Sequence, residues 1–372
     1  MNSVIPISIV IPAYNADRFL HRCIKSAEAQ MMNDIEIIIV NNGSTDKTEQ
    51  IIKKYKSFDA RIQEIKLMPN QGVAKARNVG LKNANGKYIL FCDSDDAYTI
   101  NGIQRCYQIA EREHADVVVG NFTQLNDDEE YSPLMVKTNL ETKSDFLAFF
   151  DTGVIWNKLY RKSFLTKNNL CFKPYNYGED TLFLGECYMC DPRISICSEC
   201  LYLHYHRTNN DGEKQLTRIY TANSLKEYLA VGMKLYKMPF VCDEEDFLKE
   251  YFRYLRHVYE FWWNIPDQNG IKSTFPDLRE FTRIIDWNND YKRGEFYNIF
   301  GIDYQLFQKV SLDAYITFKL FSQGKNNQEA VHSNCIDYAS EVNNMYLRGQ
   351  LGFRYIIRYI LSWFAYKRKK SN

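Results

Sequence analysis

Three carboxylates follow one apolar run of this chain, and their spacing allows them to act on a single ligand. The run is Tyr88–Phe91, and after Cys92 come Asp93, Asp95 and Asp96. Like charges this close repel unless water, hydrogen-bond donors or a cation separates them. Carboxylates at positions i and i+2 can both reach one divalent cation and the phosphates around it. Taken alone, the cluster is more typical of a solvated turn before a helix.

The elements around this cluster alternate between strand and helix patterns. Strands are predicted at Ile7–Ile11, Glu36–Val40, Arg61–Leu67, Lys87–Cys92 and Ala115–Phe122, with helices in the first three intervals. Such spacing indicates βαβ crossovers and a mainly parallel α/β sheet flanked by helices. Ligands bind at the carboxyl ends of such strands, so the polar segments there should converge on one crevice. These segments are Pro12–Asn15, Asn41–Asp46 and Asp93–Asp96.

Two further patterns concern the helices. Ser44 or Thr45 is the expected cap of the second helix, which should reach about Phe58. Beyond about residue 215 the strand patterns give way to amphipathic stretches at Ser224–Tyr236 and Asp246–Trp263. The pattern therefore predicts two domains, an α/β domain at 1–215 and a helical C-terminal domain at 216–372.

Composition excludes some classes of function. The 372 residues carry a net charge of +1, which argues against a globally basic nucleic-acid binder but says nothing about local patches. The N-terminus has neither a basic leader nor a long apolar segment, so we expect no signal peptide and a cytoplasmic location. No window has the roughly 18 uncharged apolar residues of a membrane-spanning helix.

Four of the ten cysteines form two C-x-x-C pairs, Cys187 with Cys190 and Cys197 with Cys200. Four thiolates at this spacing could form a zinc site. The alternative is a helix and a strand whose cysteines act as small hydrophobic side chains, and the regular pattern of the segment favours it. Zinc binding is left open at this point.

Several linked motifs resemble the family-two inverting glycosyltransferases, which have the nucleotide-sugar-binding GT-A fold. The matching segments are Val10–Ala16, Val40–Asp46, Asn70–Asn78 with Gly80, Asn85–Gly86, Asp93–Asp96, Trp156–Tyr160 and Gly178–Asp180. Their order and spacing match over about residues 5 to 210, which is far more specific than one motif. The resemblance implies a GT-A catalytic domain at 1–215.

The resemblance also implies roles for matched residues. The residues implied to bind the nucleotide-sugar are Pro12, Ala13, Tyr14, Asn15, Asn42, Arg77, Asp93, Ser94, Asp95 and Arg207. Tyr14 would stack on the pyrimidine, and Asp93 would approach the ribose. Asp95 would hold Mn²⁺ or Mg²⁺ on the diphosphate, with Asp93 and His206 as further metal ligands. Asp96 is expected to be structural.

Three of these assignments have alternatives. Arg77 could equally form a salt bridge on the surface of its helix. His206 could equally be a satisfied core or surface histidine. Relatives usually carry Asp at position 42, where it accepts a hydrogen bond from the pyrimidine; Asn42 can still accept through its amide oxygen. Uracil and thymine are therefore both open as the base.

Asp180 is the implied general base. Glycosyl transfer with inversion needs a carboxylate opposite the leaving group to take the proton of the acceptor hydroxyl. Glu179 and Asp180 match the family's Glu-Asp pair. A helix N-terminal carboxylate that complements the helix dipole is the alternative.

The final segment, residues 351–370, has an apolar helical stripe, interleaved aromatic residues and a basic end. Such a helix is typical of an anionic membrane surface, although it could instead dock on the protein or in a dimer. With the resemblance, it predicts a peripheral enzyme on the inner face of the cell membrane. The expected reaction moves a sugar from a UDP-sugar to a hydroxyl of a lipid-linked oligosaccharide or growing surface polysaccharide. A catalytically silent nucleotide-sugar-binding or scaffold protein is the alternative, and the oligomeric state is open.

Overall fold

The computed structural model describes residues 5–126, 145–150, 153–206, 219–240, 242, 244–285, 290–300, 307–308 and 315. The chain divides into two compact units, Met1–Tyr254 and Leu255–Asn372. Within the described ranges, no helix is both long and apolar enough to cross a membrane. The predicted segment at 351–370 lies outside the described residues.

The first hundred residues form the predicted parallel βαβ units. The strands are β1 (Ile7–Ala13), β2 (Ile35–Asn42), β3 (Ile62–Leu67) and β4 (Tyr88–Phe91), and the helices are α1 (Leu20–Glu28), α2 (Thr48–Lys56) and α3 (Val73–Asn83). β1 pairs in parallel with β2 and with β4, and β2 pairs in parallel with β3. The predicted strand ends therefore lie at one edge of the sheet.

The expected cap of α2 is wrong, since the helix begins at Thr48 with Lys47 at the cap position. Ser44 and Thr45 instead bind the preceding loop: Ser44 Oγ accepts the Asn15 N–H over 3.1 Å, and the Thr45 N–H donates to Asn15 Oδ1 over 2.9 Å. These contacts hold the two strand-end loops together, so the chain turns into the helix three residues later.

The sheet is completed by a mixed second half. Its elements are β5 (Ala97–Tyr98), α4 (Gly102–Arg112), β6 (Val117–Asn126), α5 (Asp145–Phe150), β7 (Lys158–Arg161), α6 (Lys162–Lys167), α7 (Glu179–Tyr188) and β8 (Ile194–His206). The strand order is β3-β2-β1-β4-β7-β6-β8-β5. β7 runs antiparallel to β4 and β6, and β5 runs antiparallel to β8, whereas β6 and β8 are parallel.

The described residues beyond β8 are helical, as the sequence predicts. The helices are α8 (Ala222–Tyr236), α9 (Glu244–Trp263), α10 (Gln268–Arg283) and α11 (Asp290–Phe300). Leu182 of α7 packs with Val231 and Leu235 of α8, which anchors α8 to the first unit. The division between compact units falls after Tyr254, and the domain boundary after residue 215 stays a prediction.

Hydrophobic clusters cover both faces of the central strands. Ile9 and Ile11 of β1 face a cluster that includes α1, while Val10 faces a second cluster that includes α3. Successive side chains of a strand point to opposite faces, so burial on both faces requires a continuous apolar run. This explains why the strand signals in β1 and β2 lack alternation.

Glu36 is a buried carboxylate at the end of the sheet opposite the strand-end loops. It is 3% exposed and lies beside Ser8 in the β1–β2 register. Its oxygens accept the Ser8 hydroxyl, the backbone N–H groups of Asn85 and Gly86, and the side-chain amides of Asn85 and Gln63. A Cβ on Gly86 would lie 2.4 Å from the Ser8 nitrogen, so only glycine fits there. Glu36 therefore fixes the turn that leads into β4.

We predict that Glu36→Gln lowers the free energy of unfolding by about 2 to 4 kcal/mol, because the new NH₂ group faces donors that lose their acceptor. Urea unfolding followed by circular dichroism measures the change. Glu49→Gln is the control, because Glu49 is 36% exposed and pairs with Lys53 and Lys66 at the surface. Equal losses for the two variants would contradict this role of Glu36.

Candidate active site

The acidic turn, Asp93–Asp96, follows β4 at the carboxyl edge of the sheet. Its first three residues are half-buried, whereas Asp96 is 1% exposed. Tyr202 Oη donates to Asp96 Oδ2 over 2.9 Å, and the Tyr205 N–H donates to Asp96 Oδ1 over 2.8 Å. Burial, followed by the charges of Asp95 and Asp93, raises the pKa of Asp96 well above its usual value. Both oxygens of Asp96 thus bind β8, in keeping with the structural role expected for it.

Arg77 of α3 joins carboxylates from two distant segments, Asp93 and the adjacent pair Glu179 and Asp180. It is 3% exposed. Its Nη2 donates to Asp93 Oδ1 over 2.9 Å, and its Nη1 donates to Glu179 Oε1 over 2.9 Å and to Asp180 Oδ1 over 2.7 Å. Burial disfavours the charge of Arg77, but Asp180, Asp93 and Glu179 outweigh it and raise the pKa of Arg77 above its usual value.

This geometry corrects one alternative for Arg77. The salt bridge does form, but the guanidinium is buried, so it is not the exposed helix-surface pair that the sequence left open. Removing one partner of a buried ion pair costs far more than removing one at the surface, because a charge is left unpaired. A contact between Arg77 and a nucleotide stays a prediction.

Glu179 and Asp180 enter the site at the first turn of α7. Gly178 precedes them with φ +76°, and a Cβ there would lie 3.2 Å from Tyr254 Oη. Only glycine takes this left-handed conformation at no steric cost, so the turn that aims both carboxylates at Arg77 depends on it. Both carboxylates also lie at the N-terminus of α7, where the helix dipole favours negative charge. This position fits the alternative for Asp180, a carboxylate that complements the dipole.

The two carboxylates differ in exposure and in acidity. The Asp180 side chain is 20% exposed, against 10% for Glu179. Burial raises the pKa of Asp180 to about 6, with Arg77 opposing the rise and Asp93 adding to it. Burial and the neighbouring Asp180 raise the pKa of Glu179 to about 8. Asp180 is therefore the more acidic and the more accessible of the two, and as a carboxylate it can accept a proton.

The loop after β1 supplies one exposed aromatic ring. Pro12 and Ala13 are buried at the strand end, whereas Tyr14 is 47% exposed. Asn15 has φ +47°, and its side-chain oxygen accepts the Thr45 N–H. Tyr14 is thus free to stack on a ring at this edge of the sheet, while Asn15 ties the first two loops together.

Asn42, at the end of β2, is buried and its amide orientation is fixed. Its Nδ2 donates to Asn70 Oδ1 over 2.9 Å and to the Gly72 carbonyl over 3.1 Å. Its Oδ1 accepts the Gln71 N–H over 3.1 Å and has a second lone pair. Asn42 can therefore offer a ligand only an acceptor, the function that the sequence predicts for it.

Two predicted residues cannot be placed. Arg207 lies outside the described residues, and of His206 only the backbone at the end of β8 is described. Their predicted contacts with diphosphate and metal stay predictions.

The four paired cysteines occupy different surroundings. Cys187 is buried on α7, and Cys190 Sγ donates to the Glu186 carbonyl over 3.4 Å. Cys197 is buried on β8, and Cys200 Sγ lies 3.4 Å from Thr123 Oγ1. Among the residues that the structure describes, no group of three or more His, Cys, Asp and Glu side chains could hold a metal ion. The arrangement matches the helix-and-strand alternative to a zinc site.

Asp93 and Asp95 fit a different type of metal site. Mg²⁺ and Mn²⁺ prefer oxygen ligands, and such ions are often held by one or two carboxylates together with substrate phosphates. The half-buried acidic turn offers this donor set at the strand-end edge, with Asp93 Oδ1 also bound by Arg77. The residues present therefore fit a divalent ion that a diphosphate brings with it.

Tyr202 binds the acidic turn, a contact that the sequence motifs did not indicate. Its hydroxyl accepts the Asp93 N–H over 3.0 Å while it donates to Asp96. A tyrosine in an aromatic-rich strand gives no sequence signal of this contact, because the partners are 109 and 106 residues away.

Comparisons with known proteins agree with this architecture. Residues 8–167 match the family described as glycosyl transferase family 2. The glycosyltransferase EpsJ of Bacillus subtilis is 32% identical over 233 residues, which are 60% of this chain and 66% of EpsJ. The poly(ribitol-phosphate) β-N-acetylglucosaminyltransferase TarS of Staphylococcus aureus is 27% identical over 55% of this chain and 36% of TarS. The chain thus spans between a third and two thirds of these relatives.

Solved structures extend the likeness to the whole fold. A TarS fragment in complex with UDP-GlcNAc superposes with a TM-score of 0.65 at 20% identity, covering 87% of this chain and 93% of the fragment. The mannosyltransferase PcManGT of Pyrobaculum calidifontis, in complex with GDP-mannose and Mn²⁺, gives a TM-score of 0.50 at 11% identity, covering 90% of this chain and 86% of PcManGT. These structural matches show that the chain has the GT-A fold, and its segment 8–167 belongs to glycosyl transferase family 2.

Proposed function

We propose that this protein is an inverting glycosyltransferase that moves a hexosyl or N-acetylhexosaminyl group from a UDP-sugar to an acceptor hydroxyl. The observation that carries the proposal is that Asp93 and Asp180 both bind Arg77. One guanidinium binds Asp93 on the expected donor side and Asp180, the candidate base. A donor sugar at Asp93 would therefore lie within reach of a carboxylate that can deprotonate the acceptor.

The donor proposal rests on the strand-end loops. Tyr14 offers an exposed ring for the pyrimidine, and Asn42 offers one fixed acceptor for its N3–H. Pro12, Ala13, Asn15, Ser94 and Arg207 complete the proposed nucleotide-sugar contacts. TarS was solved with UDP-GlcNAc and with UDP, which supports uridine as the base for this chain too.

A divalent metal is proposed at the acidic turn. Asp95 would hold Mn²⁺ or Mg²⁺, with Asp93 and His206 as further ligands. The bound ion would screen the donor phosphates and stabilise the departing nucleoside diphosphate. The complex of PcManGT with Mn²⁺ supports this choice of metal.

Asp180 is proposed to take the acceptor proton. The acceptor hydroxyl attacks the sugar carbon from the face opposite UDP, its proton passes to an Asp180 oxygen, and the bond between the sugar and UDP breaks. Arg77 orients Asp180 through Nη1, and its charge opposes the rise in the pKa of Asp180 that burial causes. Burial keeps bulk water away from Glu179, which binds the same guanidinium.

The acceptor proposal is a lipid-linked oligosaccharide or a growing surface polysaccharide. TarS and a Bacillus spizizenii relative that is 32% identical are named as transferases acting on poly(ribitol phosphate), which is a polymer with free hydroxyls. A peripheral position on the inner face of the cell membrane, through residues 351–370, completes the proposal. Deleting residues 351–370 tests the membrane attachment. The shortened protein should no longer sediment with anionic vesicles, whereas the full-length protein should.

We predict that the wild-type protein releases UDP from one member of a UDP-sugar panel when Mn²⁺ and acceptor are present. Asp180→Asn should lower turnover about 10²- to 10⁴-fold, because an amide cannot take the acceptor proton. UDP binding should be kept, because Arg77 retains Asp93 and Glu179 as partners. Below pH about 6 wild-type kcat/KM should fall as Asp180 is protonated, since its pKa is raised to about 6.

The control is Asp191→Asn, a change in an exposed turn after α7. Release of UDP by Asp180→Asn at the wild-type rate would refute the assigned base. A wild-type protein that binds UDP but transfers no sugar from any donor to any acceptor would favour the silent binding protein.

We also predict that Asn42→Asp, which introduces the residue that relatives usually carry, weakens UDP binding about tenfold. The carboxylate would face two acceptors, Asn70 Oδ1 and the Gly72 carbonyl, which now receive hydrogen bonds from Asn42. Isothermal titration with UDP measures the change, and Asn83→Asp on the exposed end of α3 is the control. Tighter binding by Asn42→Asp would contradict the fixed amide.

A further inference from the structure

Tyr202 of β8 makes two hydrogen bonds to the acidic turn. Its hydroxyl accepts the Asp93 N–H over 3.0 Å and donates to Asp96 Oδ2 over 2.9 Å. One hydroxyl therefore spans the first and the last residue of the turn. The turn itself has one internal backbone hydrogen bond, from the Asp96 N–H to the Asp93 carbonyl over 3.1 Å.

The ring of Tyr202 is held in place by aromatic neighbours. Trp156 stacks on it with ring centroids 4.3 Å apart at 13°, and Tyr98 meets it edge-on at 5.1 Å. Tyr202 is 0% exposed. A hydroxyl on a ring fixed in this way has one position, so it can act as a template for the turn that it binds.

Arg22 of α1 makes a second connection between the turn and β8. It donates through Nη2 to the Asp95 carbonyl, and its guanidinium lies 3.4 Å from the centre of the Tyr205 ring. The Tyr205 N–H in turn donates to Asp96. Tyr202, Tyr205 and Arg22 thus bind all three aspartates of the turn through their backbone or side chains.

We propose that Tyr202 is a positioning residue for metal and diphosphate binding: its hydroxyl, fixed by Trp156, presets the acidic turn so that Asp93 and Asp95 serve one ligand. The inference rests on the proposed function, because it takes the turn as the metal-diphosphate site. A preset turn loses little conformational freedom when the ligand arrives, which raises affinity. Without the hydroxyl, Asp93 and Asp96 each lose a hydrogen-bond partner. The ligand must then order the turn as it binds, and the entropy lost in doing so weakens its affinity.

The test is isothermal titration of UDP into the full-length protein with and without Mn²⁺. Tyr202→Phe keeps the stacked ring and removes the hydroxyl, so it should weaken Mn²⁺-dependent UDP binding about tenfold. UDP binding without Mn²⁺ should fall by less, because the loops that would hold the base are untouched and only the ribose contact proposed for Asp93 is affected. A residue that only stabilises the fold would lower both affinities together.

Tyr98→Phe is the matched control. Tyr98 is 3% exposed, and its hydroxyl donates to two backbone carbonyls, those of Phe91 and Trp156, rather than to the acidic turn. Its loss should lower the melting temperature and leave Mn²⁺-dependent UDP binding intact. Arg22→Lys is a second variant for the case that Tyr202→Phe does not fold. Lysine keeps the positive charge but cannot stack a planar guanidinium on Tyr205. It should therefore also weaken Mn²⁺-dependent UDP binding.

Each outcome separates the two claims. Wild-type affinity for Mn²⁺ and UDP in Tyr202→Phe, or in Arg22→Lys where Tyr202→Phe does not fold, would overturn the positioning role and leave the proposed function in place. Equal losses in Tyr98→Phe and Tyr202→Phe would overturn it too. Failure of the wild-type protein itself to bind UDP with Mn²⁺ would overturn both.

Discussion

The site depends on one electrostatic constraint: the positive charge of a guanidinium buried in the core needs carboxylate partners in the interior. Arg77 meets this constraint with Asp93, Glu179 and Asp180, which come from the end of β4 and the start of α7. A buried charge without partners is costly, so the folded state is favoured only when these segments meet. The interaction that stabilises the interior therefore also sets the distance between the expected donor side and the candidate base.

The fold supplies this meeting point through the direction of its strands. β1, β2 and β4 run in parallel and end at one edge, where the Tyr14, Asn42 and Asp93 loops collect. β8 then contributes from the far half of the sheet, and its Tyr202 binds the acidic turn directly. The site is thus built by a parallel layer that brings the loops together and a later strand that fixes one of them.

Sequence patterns predicted the parts that depend on local signals. The apolar runs and their spacing predicted β1 to β4 and the parallel crossovers, and the motifs predicted that Asp93 and Asp180 belong to one site. β5 and β7 were missed because two and four residues are too few for a period to appear. The ion pairs of Arg77 with Glu179 and Asp180 were missed because they span 102 and 103 residues, and burial of a cation leaves no local trace. The start of α2 was misplaced because Ser44 and Thr45 bind a loop 29 and 30 residues away rather than their own helix.

The most direct test of this account is the turnover of Arg77→Lys at saturating UDP-sugar, with circular dichroism to confirm the fold. Lysine keeps the positive charge but cannot bind three carboxylates through a planar fork, so Asp180 and Asp93 lose their common support. The account predicts a folded protein whose UDP release falls at least about a hundredfold. A folded Arg77→Lys variant that releases UDP at close to the wild-type rate would contradict it.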